Sequence, residues 1–171
     1  RNAMKTARSF GWMKHNATSS NLYRFTKISA DPPYYSSYIS SGASVNEFVV
    51  TASVPTDVTI RAYCSGMQYN DLFNVWVNEE IMADRIGKPE GETVEQTYHL
   101  GAGEFLTVFA QHTKYAYSSV GENRAKLWFL SEDELTVEMS NPTSTRSTAG
   151  CEGGYPTTPF RDYVNTEVLG M

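Results

Sequence analysis

The segment from Leu72 to Leu130 constrains the fold most, because short stretches of it alternate between apolar and polar residues. The stretches read LFNVWVNEEIM, TVEQTYHLGAGEFLTVFAQH and AKLWFL, and Gly101-Ala102-Gly103 lies inside the second. A period of two is typical of strands that bury one face, and glycine adopts the positive φ of a tight turn at no steric cost. This pattern predicts an all-β protein, an antiparallel β-sandwich of jelly-roll-like form with about eight strands.

Upstream of that segment, the sequence predicts a first strand at Leu22–Ser29 and a hairpin formed by Val45–Val54 and Val58–Cys64. The second hairpin strand alternates cleanly. Its even-numbered residues are apolar and are expected on one face, opposite Thr59, Arg61 and Tyr63. Tyr34–Tyr38 follows two prolines and is rich in Tyr and Ser. Proline removes a backbone donor and fixes φ, so we predict a loop there.

Periodicity is absent from both ends of the 171-residue chain. We therefore divide it into an N-terminal arm (1–21), a β-sandwich domain (22–140) and an extended C-terminal tail (141–171), in which Pro, Ser, Thr and Gly dominate. Ordering such segments costs conformational entropy. We expect the arm and the tail to become ordered by lying across neighbouring subunits.

Charge and hydropathy exclude several classes of partner. The net charge of −5 is opposite to the basic face that a general nucleic-acid binder needs. It also disfavours an electrostatic membrane anchor, and no apolar stretch is long enough for a transmembrane helix. The first residues lack the pattern of a signal peptide. Met4 is either the native start, or Arg1 follows a processing site.

The residues that most often carry chemistry show no catalytic spacing. His15, His99 and His112 are not at metal-ligand intervals, no G-x-S-x-G elbow occurs, and the carboxylates fall mostly in turns. We therefore expect a protein that is not an enzyme and has no resident cofactor. Calcium is the one possible ion, in loop 65–71 with Asp71 or in loop 84–95 with Asp84. Cys64 and Cys151 either form a disulfide or remain two thiols.

Aromatic residues in two predicted loops are the candidate ligand-binding groups. Sugars stack on exposed aromatic rings while polar side chains hold their hydroxyl groups. The candidates are Tyr69, Asn70 and Asp71 in one loop, and Tyr115 and Tyr117 in another. Ordinary packing is the alternative role for each tyrosine. Trp76 and Trp128 lie within predicted strands and are expected in the core, whereas Trp12 can anchor the arm or contact a neighbour.

About a third of the chain, residues 70–130, resembles carbohydrate-binding jelly rolls, including the PA14-like and carbohydrate-binding-module families. The resemblance rests on Asp71-Leu72-Phe73-Asn74-Val75-Trp76-Val77-Asn78 and on His99-Leu100-Gly101-Ala102-Gly103-Glu104-Phe105. Glu79 stands where those families usually have glycine, and the paired acidic residues that bind metal in PA14-like domains are not evident beside Asp71. The resemblance implies the fold and transfers no binding residue.

Two functions follow as hypotheses. The same jelly-roll pattern is reused in phage and virus structural proteins, and the low charge, the arm and the tail suit protein–protein packing. The first hypothesis is a non-enzymatic structural or assembly protein, a virion decoration, capsid or tail subunit or an appendage subunit, located in a virion or at a cell surface. The alternative is a carbohydrate-binding or adhesion module that recognises glycans. An enzyme is a third, weaker possibility.

Overall fold

The chain folds into two β-sheets that pack face to face. The computed structural model describes residues 22–39, 42–67, 71–78, 80–114, 124–140, 151–152 and 155–156. Every regular element in these ranges is a strand, which confirms the predicted all-β sandwich. The two sheets hold six and five strands, more than the eight or so that the sequence predicted. The strands are β1 (Leu22–Tyr23), β2 (Thr26–Ile28), β3 (Tyr34–Tyr38), β4 (Gly42–Ala52), β5 (Thr56–Cys64), β6 (Leu72–Val77), β7 (Glu80–Ala83), β8 (Glu92–Leu100), β9 (Phe105–Lys114), β10 (Arg124–Leu130), β11 (Leu135–Ser140), β12 (Cys151–Glu152) and β13 (Tyr155–Pro156).

Strand order shows how the two sheets interlock. The six-stranded sheet runs β1-β4-β9-β6-β7, with β11 also paired to β4, and the five-stranded sheet runs β2-β3-β10-β5-β8. From β3 to β6 and again from β7 to β11, consecutive strands alternate between the sheets. All ladders are antiparallel except the short pairing of β1 with β4. This alternation is jelly-roll-like, and it joins the sheets at both ends of the sandwich.

The core lies between the sheets. It is filled by the inward-facing side chains, which occur at every second residue of a strand. Val58, Ile60, Ala62 and Cys64 on β5 are fully buried, as the sequence predicts. Phe48 on β4 packs against Tyr35 and Phe129 of the opposite sheet, with ring centroids 4.9 and 5.4 Å apart. Phe25, between β1 and β2, adds a third ring contact to Phe48 at 6.2 Å. These aromatic side chains bridge the two sheets.

Three expectations about the first half of the domain are wrong. The hairpin predicted from Val45–Val54 and Val58–Cys64 does not form, because the two segments lie in β4 and β5, which belong to different sheets. Tyr34–Tyr38, predicted to be a loop, is strand β3 between β2 and β10. Its Tyr35 ring completes the core, and hydrogen bonding satisfies its buried serine hydroxyl groups. The predicted single strand at Leu22–Ser29 is two strands, β1 and β2, which belong to different sheets. The chain crosses at Phe25, whose backbone N–H donates to Asn46 Oδ1 at 2.6 Å.

The turn predicted at Gly101-Ala102-Gly103 joins β8 to β9, as expected. Gly103 adopts a φ of +77°, a conformation that side chains with a Cβ rarely take. The Glu104 carboxylate accepts a hydrogen bond from the Gly101 N–H at 2.8 Å and closes the turn. The turn therefore carries the chain from β8 in the five-stranded sheet to β9 in the six-stranded sheet, and it does not close a hairpin.

Cys64 is a free, buried thiol at the end of β5. Desolvation by burial raises its pKa from 9.0 to about 12, with a smaller contribution from the negative charge of Asp71. The folded state therefore holds the thiol proton more tightly than the unfolded chain does. As a result, the contribution of Cys64 to stability is complete below pH 9.0 and declines as the pH rises toward 12. The side chain of Cys151 lies outside the described part of the chain.

Replacing Phe48 by alanine tests the role of the inter-sheet contact. We expect Phe48→Ala to lower the free energy of unfolding by about 3–5 kcal/mol, because it removes three ring contacts and leaves a cavity. Val54→Ala, at a position 46% exposed, is the matched control and should change stability by less than about 0.5 kcal/mol. Urea unfolding measures both. Equal effects of the two substitutions would contradict the assignment.

Candidate binding surface on the five-stranded sheet

The outer face of the five-stranded sheet concentrates aromatic and cationic side chains. Alternation in β3, β5 and β10 sends one set of residues into the core and the other set to this surface. In AKLWFL, Leu127 takes the core side, so Lys126 and Trp128 take the outer side. We call the resulting surface the aromatic–cationic face, and it consists of Tyr34, Tyr38, Arg61, Tyr63, Arg124, Lys126 and Trp128.

The first row of this face runs across four neighbouring strands. The Tyr34 ring lies 5.2 Å from the Trp128 ring, centroid to centroid. On the other side of Trp128, the Arg61 guanidinium lies 5.6 Å from the centre of its ring. Arg61 also forms an ion pair with Glu95 on β8. Cross-strand pairing therefore arranges two rings, a cation and an anion in one line.

The remaining cations stand over tyrosine rings. Lys126 Nζ lies 5.5 Å from the Tyr34 ring centre and 5.7 Å from that of Tyr63. Arg124 lies 4.8 Å from the Tyr38 ring centre and donates a hydrogen bond to Ser36 Oγ at 3.3 Å. Cation–π contacts of this kind hold long side chains in place at exposed sites.

The face is accessible and positively charged. Tyr38 is 63% exposed, and the other six members are partly exposed. The rows described above hold three cationic side chains and one carboxylate, on a chain whose net charge is −5. Immobilised rings offer stacking surface at low entropic cost, and Arg and Lys recognise carboxylate or sulfate groups. The arrangement can therefore bind an extended anionic ligand.

The ligand-binding residues predicted from the sequence lie elsewhere. Tyr69, Asn70, Tyr115 and Tyr117 are outside the residues that the structure describes. Asp71 is described, and its side chain is fully buried. Its Oδ2 atom lies 3.9 Å from Lys114 Nζ, between the two sheets at one end of the sandwich. Asp71 therefore belongs to the interior of the domain.

Buried hydroxyl groups and a histidine lie near that ion pair. Ser37 Oγ on β3 donates to Ser44 Oγ on β4 at 2.7 Å, and His112 Nδ1 on β9 is also 2.7 Å from Ser37 Oγ. Ser44 and His112 are cross-strand partners, so the cluster connects the two sheets. All three residues are buried. The cluster therefore acts as a polar layer of the core, because a substrate cannot reach a hydroxyl group sealed between the sheets.

Other side chains of the kinds that take part in catalysis or metal binding lie on the surface. His99 Nδ1 lies 3.1 Å from Asp57 Oδ1, and both side chains are about 70% exposed. Across the described residues, no three His, Cys, Asp or Glu side chains converge to hold a metal ion. Asp84, a calcium candidate, is exposed. The described ranges contain no helix that is long and apolar enough to cross a membrane.

A cleft opens at the end of the sandwich opposite the Asp71–Lys114 pair. It has a volume of about 370 Å³ and lies between the β2–β3 connection and β11. Tyr35, Phe129 and Val137 contribute apolar walls, and Lys27, Asp31 and Asp133 contribute charges. Its lining carries charges of both signs, so it does not select a class of ligand as the aromatic–cationic face does.

Comparison of the chain with protein-family models, with curated proteins and with solved structures gave no match. The resemblance to PA14-like and carbohydrate-binding-module domains therefore stays a prediction. Function has to be argued from the geometry of the sandwich and of its surfaces.

Trp128 is the residue that sequence reasoning placed wrongly. It was expected in the core, but it lies half-buried on the outer face of the five-stranded sheet. A signal was present, because Leu127 and Phe129 flank it and both belong to the inward set of β10. Trp76 is buried, yet it points away from the core, on the outer side of the six-stranded sheet.

A substitution at Asp71 distinguishes a role in the stability of the fold from a role in ligand binding. We expect Asp71→Asn to lower the free energy of unfolding by about 3 kcal/mol, because it removes one charge of a buried pair and leaves Lys114 charged. Asp84→Asn, at an exposed position, is the control and should cost less than about 0.5 kcal/mol. Urea unfolding measures both. A loss of ligand affinity at unchanged stability would instead show that Asp71 contacts a ligand.

Proposed function

We propose that this protein is a non-enzymatic binding module that recognises acidic glycans through the aromatic–cationic face. The observation that carries the proposal is the row formed by Tyr34, Trp128 and Arg61, in which two partly exposed rings stand beside a cation. Exposed aromatic and cationic side chains grouped on one rigid sheet are typical of binding surfaces.

The two kinds of side chain have separate roles in this proposal. Sugar rings present C–H groups that pack on the faces of Trp128 and Tyr34, where the area buried is largest. Carboxylate or sulfate groups on the same sugars pair with Arg61, Arg124 and Lys126, and Arg can do so through two parallel hydrogen bonds. A neutral glycan would use only the first set of contacts. The face therefore selects acidic chains over neutral ones.

The shape of the face favours a polymer over a small molecule. Its residues lie on three adjacent strands, β3, β10 and β5, which span about 10 Å at the usual strand spacing. The surface is an open sheet and not an enclosed pocket, so a ligand gains affinity by lying across several residues at once. The rigidity of the sheet keeps the rings and charges in place before binding, which lowers the entropic cost.

Binding to polysaccharides tests the proposal. Calorimetry against heparin, alginate and polygalacturonate should show affinity for at least one of them, and affinity should fall as salt is added. We expect Trp128→Ala to weaken that binding at least tenfold, about 1.4 kcal/mol, and Trp128→Phe to retain part of it. Lys126→Ala should reduce binding to the acidic chain while leaving weak binding to neutral amylose unchanged.

Ile81→Ala is the matched control, because Ile81 is an exposed apolar residue on the other sheet. The affinity of the Ile81→Ala variant for the acidic polysaccharide should equal that of the unsubstituted protein. The proposal fails if no acidic polysaccharide binds, or if Trp128→Ala and Ile81→Ala bind equally well. Unfolding curves of each variant establish that a loss of affinity is not a loss of fold.

A structural or assembly subunit, such as a virion-associated or appendage protein, is the second candidate function. The observation that favours it is β8, a regular nine-residue strand at the edge of the five-stranded sheet. Among the described strands it forms a ladder only with β5. A long edge strand offers backbone donors and acceptors to a strand from another chain.

Light scattering after size exclusion tests the second candidate. We expect a closed oligomer whose mass is a multiple of 19.1 kDa, with the β8 amides protected from hydrogen exchange in the assembled state. We expect this protection because a strand from a second chain would occupy the backbone N–H and C=O groups on the outer edge of β8. A monomer at every concentration would rule out self-assembly through this edge.

A further inference from the structure

The aromatic–cationic face continues past Trp128 into a groove of different chemistry. Beyond the cross-strand pair of Trp128 and Arg61, the next outward residues of β10 and β5 are Leu130 and Thr59, which also pair with each other. Thr59 in turn pairs with Thr97 on β8. Successive outward residues of a strand lie about 7 Å apart, which is close to the length of one sugar unit in a glycan chain. A chain that stacks on Trp128 therefore brings its next sugar to the groove.

Two turns form the walls of this groove. It has a volume of about 730 Å³ and lies between the β4–β5 turn at Pro55 and the β10–β11 turn at Ser131. The hydroxyl groups of Thr56 and Ser131 share a hydrogen bond of 2.8 Å between the two turns. Ser131 Oγ also accepts a hydrogen bond from the Asp133 N–H at 3.2 Å. The walls are therefore fixed before a ligand binds, which lowers the entropic cost of binding.

The sheet surface inside the groove offers hydroxyl groups beside an apolar side chain. Thr59 Oγ1 and Thr97 Oγ1 lie 2.8 Å apart at the surface of the protein. Leu130 is partly exposed and contributes apolar area to the lining. Ligand sites commonly combine apolar area with a few placed polar groups. A sugar ring fits this combination, because it has an apolar C–H face and a rim of hydroxyl groups.

Carboxylates determine which charge the groove accepts. Asp57, Glu132 and Asp133 line it and are exposed. Asp57 Oδ1 lies 3.1 Å from His99 Nδ1, and neither Lys nor Arg is among the lining residues that the structure describes. The groove therefore stays acidic even when His99 is counted as a cation. Carboxylates accept strong hydrogen bonds from hydroxyl donors, but they repel a second carboxylate or a sulfate group.

The charge of the surface changes sign along β5. Its outward residues Arg61, Thr59 and Asp57 are in turn a cation, a hydroxyl group and a carboxylate. Arg61 lies 5.6 Å from the centre of the Trp128 ring, where it can pair with an acidic sugar stacked on that ring. If every sugar of the chain is acidic, the next anion approaches Asp57. If the next sugar is uncharged, its hydroxyl groups donate to the same carboxylate.

We propose that the groove is a subsite of the glycan-binding face and holds an uncharged sugar next to the acidic sugar stacked on Trp128. The ligand class is then a mixed glycan in which acidic and uncharged sugars alternate, as in a chain of hexuronic acid and N-acetylhexosamine. This inference rests on the proposed glycan binding by the aromatic–cationic face. It makes Asp57 and Asp133 specificity-determining residues, because their charges act against a second acidic sugar.

Calorimetry with hexasaccharides tests the inference. One probe is a hyaluronan hexasaccharide, in which glucuronate alternates with N-acetylglucosamine, and the other is hexagalacturonate, in which every sugar is acidic. At the same salt concentration we expect the hyaluronan probe to bind more tightly, by about fivefold. Attraction of the cations alone predicts the opposite order, because hexagalacturonate carries twice the charge.

Replacing two groove carboxylates by amides of the same shape removes their charge. We expect the double variant Asp57→Asn, Asp133→Asn to bind hexagalacturonate about fivefold more tightly than the unsubstituted protein does, and to lose the preference for hyaluronan. The matched control is Asp84→Asn with Glu138→Gln, which changes the net charge equally at exposed positions outside the groove. The control should leave both affinities unchanged, because distant surface charges are screened by salt.

The possible outcomes separate this inference from the proposed function. The subsite is overturned if hexagalacturonate binds as tightly as hyaluronan, or if the double variant and the control bind hexagalacturonate equally well. The proposed function stands in both cases, provided that Trp128→Ala weakens the binding of each probe. If heparin binds and neither probe does, the subsite alone is overturned. If none of the three binds, the proposed function fails as well. Unfolding curves of each variant verify that a change in affinity is not a loss of fold.

Discussion

Packing of Phe48 between the sheets is the interaction on which the other features of this structure depend. β4 has eleven residues and pairs with β1, β9 and β11, so it organises the six-stranded sheet. Through Phe48 it contacts Tyr35 and Phe129 of the five-stranded sheet. Buried aromatic rings dominate the energetics of a core of this size. The alternation that turns Phe48 inward also turns Glu47 outward, so the core contact determines which residues each surface presents.

The two outer faces of the sandwich have opposite properties. On the five-stranded sheet, rings and cations remain partly exposed and are held by cross-strand contacts such as Arg61 over Trp128. On the six-stranded sheet, Trp76 and Phe109 are buried and point away from the core. A ligand can reach the first face directly, and the second is closed to it. This asymmetry is the reason that we place the proposed glycan recognition on the five-stranded sheet.

The interior is also divided along its length. Aromatic side chains fill the middle, whereas Ser37, Ser44 and His112 form a hydrogen-bonded layer near one end. A buried polar group is tolerated when its bonds are made inside the protein. Each of these three side chains meets a partner from a different strand, so the layer constrains the relative position of β3, β4 and β9. Such a layer favours one arrangement of the two sheets over a shifted one.

The sequence predicted the structure correctly in segments whose apolar and polar residues alternate regularly. It failed in segments that lack this alternation. β5 alternates over seven residues, and its buried and exposed faces were predicted residue by residue. β3 did not look like a strand, because Ser36 and Ser37 interrupt the apolar pattern and a polar residue is read as exposed. Their burial depends on the hydrogen bonds of Ser37 to residues seven and 75 positions away, which no local pattern contains. Asp71 was assigned to a surface loop for the same reason, since its proximity to Lys114 is a contact across the fold.

The sequence by itself determined that the chain is all-β, where most strands and the β8–β9 turn lie, and which residues of the regular strands face inward, because these features follow from local period and turn chemistry. Only the tertiary structure decided the strand order, the side of the sheet on which Trp128 and Trp76 stand, and the row that brings Tyr34, Trp128 and Arg61 together. Those residues are 27 to 94 positions apart in the chain. They meet because three strands pair in one register, and register is settled by the packing of both sheets together.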